Sequence, residues 1–129
     1  MDASGLPREV IDLLQRHVES MEQAEVLLAL SRESGAVRAS ELAIQLRISE
    51  SSTVAALEHF VQYNLAVCES AGTASYRFAP SKPQLAEAVR ALDTAYNTKP
   101  VTLVKAIYAR PSTAVQSFAD AFRLRKPGA

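Results

Sequence analysis

The sequence predicts a mainly α fold with one small β-hairpin, and three observations carry that expectation. Apolar residues recur at helical spacing, i, i+3, i+4 and i+7, along most of the 129 residues. Serines suited to helix N-caps, Ser20, Ser40 and Ser49, stand where periodic runs begin. The one stretch with strand character, residues 66–79, is interrupted by the turn Ala71-Gly72-Thr73.

Taken in order, Leu6, Val10, Leu13, Leu14 and Val18 outline a first helix with Pro7 in its first turn. Ser20 caps a second helix, from Met21 to about Glu33, with Gln23 placed for a capping box and Gly35 ending it. Val37-Arg38 reads as a short extended link. Ser40 then caps a helix with Leu42, Ala43 and Leu46 inward, and Ser49 caps another from Glu50 to Tyr63. The inner face of the latter is predicted to be Val54, Leu57, Phe60 and Val61. Asn64 suits a left-handed helix stop, and segments 66–70 and 74–79 form the hairpin. Pro83 opens a helix through Leu85, Val89, Leu92 and Tyr96, which Pro100 breaks. Helix resumes through Val101, Val104, Ile107 and Tyr108. Pro111 ends it, and a last helix covers Val115, Phe118, Ala119 and Phe122. Residues 1–35, 36–80 and 81–129 are thus N-terminal helices, a central unit and C-terminal helices, expected to form one compact body.

Bulk composition bounds the function. With 48% hydrophobic and 22% charged residues the chain buries an ordinary core. Basic and acidic side chains both number 14, so the basic excess usual in nucleic-acid binders is absent. Their placement is uneven: three basic against seven acidic residues in 1–35, and six against one in 99–129. The opposed ends suit pairing within a monomer or across a dimer, or contact of the basic end with phosphate. A single cysteine, Cys68, excludes an intrachain disulfide and a cysteine-based zinc site. No basic-then-apolar leader opens the chain, and no apolar run approaches the ~20 residues that span a bilayer. A cytoplasmic protein without membrane partners is expected.

The string ASELAIQLRISESSTVAALEHF, from Ala39 to Phe60, resembles bacterial winged helix-turn-helix repressors. With the hairpin the resemblance covers Ala39–Pro80, and it implies a winged helix-turn-helix core extended by N- and C-terminal helices. Its physical logic is visible in the residues. Leu42 and Ala43 lie on the buried side of the first helix, where the small Ala43 admits close approach of the second. Leu46 and Ile48 fill the corner, and Ser49 stops the turn and starts the second helix. The tail from Phe118 to Lys126 resembles the ends of small bacterial proteins with such a core.

The resemblance implies a transcription regulator whose second helix enters the major groove of double-stranded DNA by its N-terminal half. That surface is expected to present Glu50, Ser51, Ser52, Thr53 and Ala56, with Gln62 further down. Ser51, Ser52, Thr53 and Gln62 are candidate groove contacts. No Arg or Lys lies between Glu50 and Asn64, so positive charge must come from Arg38, Arg47 and the hairpin's Arg77, with Lys82 nearby. The alternative function is a winged helix that binds another protein through its acidic face or its apolar C-terminal helices.

Elsewhere the sequence holds little chemistry. His17 and His59 are the only histidines, have no metal-ligand spacing, and read as surface or half-buried residues. Cys68 reads as a small apolar strand residue, or as an oxidant-sensing thiol if exposed. No phosphate-cradling glycine loop or nucleophile elbow occurs, so neither an enzyme nor a bound cofactor is expected. The apolar set after Pro83 exceeds what a minimal core needs, favouring a homodimer through terminal helices over a monomer whose terminal helices pack on each other. The cluster Arg123-Leu124-Arg125-Lys126 reads as a solvated helix end or as a further contact to DNA or protein.

Overall fold

A computed structural model describes residues 5–70, 72 and 74–109. Among them the chain is mainly helical, with a small three-stranded antiparallel sheet. The predicted helix at 115–122 and the basic cluster at 123–126 lie outside the described residues.

Helix α1 (Arg8–His17) starts from Pro7, whose carbonyl accepts from the amides of Val10 and Ile11 at 3.0 and 3.1 Å. It buries Val10, Leu13 and Leu14. Helix α2 (Met21–Ser31) is capped by Ser20, whose Oγ accepts from the Gln23 amide at 3.1 Å. The Gln23 side chain reciprocates one residue upstream of the usual capping box, accepting from the Glu19 amide at 2.8 Å. The run Val26–Leu30 is apolar at every position and buried at every position. A helix without a polar face is stable only when surrounded, and α2 is the centre of this molecule. It touches α3 (Ala39–Leu46), α4 (Glu50–Gln62), α5 (Pro83–Thr98) and strand β3 (Ser75–Phe78). Two polar ties link it to α5: Tyr96 donates to Glu25 at 2.9 Å, and Arg32 pairs with Asp93. Helix α1 packs on α5 and on α6 (Pro100–Ala109).

Two expectations are corrected at the start of the central unit. The link Val37-Arg38 is strand β1, paired antiparallel with β3 through Val37–Tyr76 and Arg38–Ser75. The sheet order is therefore β1-β3-β2, with β2 at Ala66–Ser70, and not a two-stranded hairpin. That pairing moves the start of α3 as well. Extended backbone runs through Arg38, and the Ala39 amide donates across the sheet to Ala74 at 2.9 Å. The helix therefore begins at Ala39, not after Ser40, and the Glu41 carboxylate accepts from the Arg38 amide at 3.3 Å.

At the other end, Asn64 adopts the left-handed conformation its position predicts, φ 66°. Pro100 separates α5 from α6, with Lys99 non-helical between them. Helix α6 buries Leu103 and Ile107, while Val101, Val104 and Tyr108 face outward at 66%, 38% and 60% exposure. The Tyr108 hydroxyl nevertheless accepts from the Met21 amide at the start of α2, at 3.2 Å.

Candidate nucleic-acid interface

Helices α3 and α4 meet through a three-residue turn, Arg47-Ile48-Ser49. Arg47 closes α3 in the left-handed region, φ 61° and ψ 43°. A residue with a Cβ is disfavoured there, and glycine is the usual occupant. The Ile48 amide donates to the Ala43 carbonyl at 3.1 Å. Ser49 caps α4, its Oγ accepting from the Ser52 amide at 3.0 Å and lying 3.3 Å from the Ser51 hydroxyl.

The face that α4 turns inward differs by one position from the sequence expectation. Thr53, Ala56, Leu57 and Phe60 are buried, and Val54 and Val61 are only partly so. Thr53 is 0% exposed, and its hydroxyl donates to the Ser49 carbonyl at 2.9 Å. Thr53 is therefore removed from the candidate contacts, and Ala56 from the surface. A polar residue reads as outward-facing in a pattern of apolar spacing, but an intrahelical bond satisfies this hydroxyl inside the core.

The outward stripe of α4 consists of Glu50, Ser51, Ala55, Glu58 and Gln62, with Ser52 at its margin. Two of these are carboxylates. Glu58 is engaged, accepting from the buried Tyr76 hydroxyl of β3 at 2.5 Å. Burial, then that hydrogen bond, holds the Tyr76 phenol well above its ordinary range.

The candidate cations separate into two groups. Arg38 pairs across the sheet with Ser75, and Arg77 follows Ser75 by two residues, so all three project from one sheet face opposite to Tyr76. Arg77 is bound by Glu69 of β2 at 2.7 Å, both side chains nearly half exposed. An exposed pair of this kind contributes ~0–1 kcal/mol, so a phosphate competes with it at small cost. Arg38 and Arg47 are exposed and form no ion pair among the described residues. Gln62 lies at the far end of α4, about three helical turns or ~18 Å from Glu50 at ~1.5 Å rise per residue, and so stands apart from Ser51 and Arg47.

The two histidines, read separately in the sequence, form one cluster at the C-terminal end of α4. His59 Nε2 lies 2.7 Å from the His17 carbonyl oxygen, and both rings flank Tyr63, with centroid distances of 4.8 and 5.0 Å. No local pattern signals a contact between residues 42 positions apart. His17 Nδ1 is buried without a hydrogen-bond partner among the described residues. Burial, then the neighbouring His59 and Arg16, holds the His17 imidazole below its ordinary value of 6.5, against one opposing backbone hydrogen bond. The unfolded chain therefore binds a proton at His17 more readily than the folded chain. This contribution to stability is complete above about pH 6.5 and is lost as pH falls through the lowered native value. The expected result is a urea midpoint that declines between pH 7 and pH 5, with a shallower decline in His17→Gln; equal slopes would contradict it.

Cys68 is exposed on β2, not a packed strand residue, and no group of three or more metal-ligating side chains occurs among the described residues. No helix among them is long and apolar enough to cross a membrane. Compared with models of known families, with curated proteins and with solved structures, the chain matches none of them.

Proposed function

We propose that this protein is a non-catalytic, cytoplasmic DNA-binding regulator of winged helix-turn-helix type. The observation that carries this function is that two cations, Arg47 in the turn that leads into α4 and Arg38 on the sheet, are exposed and form no ion pair among the described residues. In this function α4 lies in the major groove with Ser51 and Ser52 toward the bases, Arg38 and Arg47 meet phosphate, and Arg77 exchanges Glu69 for a phosphate on the minor-groove side. Gln62 takes a peripheral contact. A homodimer doubles the cations, and its support is the outward Val101, Val104 and Tyr108 on α6.

A second function, docking of a protein partner, is favoured by one specific observation: the outward stripe of α4 carries Glu50 and Glu58 and no cation. Salt dependence separates the two. DNA binding is expected with a log K that falls by about 0.9 per phosphate neutralised for each unit of log salt. Arg47→Gly is the informative variant because it deletes the cation and relieves the left-handed φ together. Its folding stability is expected to rise by roughly 0.5–1 kcal/mol, while the salt slope drops by about one per site. Absence of duplex binding by the wild type at low salt would exclude the regulator and leave the protein partner.

A further inference from the structure

A cavity of about 700 Å³ opens between the N-terminal end of α1 and the C-terminal end of α5. Its origin is a stripe of small side chains on α5: Ala91 and Ala95, with Thr94 and Thr98 alongside, each pair at i, i+4 spacing. Facing them, Leu6 and Pro7 supply an apolar wall, with Leu6 only 2% exposed. Such a volume is within the ~300–1,000 Å³ typical of small-molecule sites.

The charge of the lining is one-sided. Arg8 and Lys99 stand at the cavity, and no carboxylate among the described residues lines it. Neither cation forms an ion pair among the described residues. Lys99 spends one donor on the Gly5 carbonyl at 2.9 Å, which fixes its ammonium at the cavity edge and leaves its other protons free for a ligand. The α1 terminus adds its partial positive charge from the same side, offset in part by Glu9 in its first turn, which does not line the cavity. The lining thus offers an apolar floor and a positive mouth.

We infer that this cavity binds a small amphiphilic anion, a carboxylate with a medium-length apolar chain. The carboxylate meets Arg8 and Lys99, and the chain lies against Leu6, Ala91 and Ala95.

The test uses the full chain and octanoate as probe, with octanol and octyltrimethylammonium as neutral and cationic controls of the same chain length. Calorimetric titration is expected to show saturable octanoate binding, with both controls weaker by roughly five- to tenfold or more. Backbone amide shifts are expected to cluster at residues 5–8 and 91–99. Thr94→Trp, at an exposed wall position, is expected to abolish binding. If that variant does not fold, Arg8→Glu at an exposed position decides in its place, with loss of at least tenfold in affinity expected. No saturable binding at millimolar octanoate, including the case in which the chain's own ends fill the cavity, overturns the inference. So do equal affinities for octanoate and octanol, shifts centred on the outer face of α6, or unchanged binding in the folded variants.

Discussion

Phe60→Ala is expected to lower folding stability by about 3–5 kcal/mol, the range for removing a fully buried aromatic side chain. Phe60 is 0% exposed on the inner face of α4, in the core shared with α2 and the sheet. Its backbone is committed too, because the Leu65 amide donates to the Phe60 carbonyl at 2.9 Å where the chain leaves α4 for β2. A cavity there cannot be closed by moving one element without disturbing another. For a chain of this size each kcal/mol shifts Tm by roughly 4 °C, so a fall of about 12–20 °C is expected in a thermal melt. A fall under about 4 °C would mean that α4 is not packed as described.

Leu103→Ala is the second large effect, about 2–5 kcal/mol, and it asks whether α6 belongs to the core. Leu103 is fully buried, and α6 contacts both α1 and α5. The neighbouring Val104→Ala, on the outward face, is the control, expected to stay within roughly 0.5 kcal/mol in the monomer. If the two variants melt alike and close to wild type, α6 is an appendage. If Val104→Ala is costly and its cost depends on protein concentration, the outward face is covered by a second copy.

Much of the fold is legible in the sequence because its signals are local. Ser20 and Ser49 cap the helices they precede, Asn64 stops α4, and Pro100 divides α5 from α6. What was not legible depends on partners distant in sequence. Two residues are too few to show strand alternation, and the partner of Val37 is Tyr76, so β1 could not be read locally. The inner face of α4 is not legible from apolar spacing because Thr53 is polar and yet buried, its hydroxyl satisfied by the Ser49 carbonyl. The candidate site was half legible. Arg38 and Arg47 are exposed, the one on β1 and the other in the turn before α4, whereas the ion pair that occupies Arg77 and the pairing of His17 with His59 arise only from tertiary contact.

The strand order carries a consequence for biosynthesis. The middle strand of the sheet, β3, is the last to be made, and β1 is made first. At about 5–20 residues per second, Val37 leaves the peptidyl transferase centre some 2–8 s before Tyr76. Helices α3 and α4 therefore have time to associate with α2 on the nascent chain while β1 has no partner. With only two residues, β1 is a poor template for wrong pairing during that interval. Arrival of β3 then supplies the partner of both edges and brings Tyr76 to α4, so the sheet can close on α2, α3 and α4 before α5 and α6 are made.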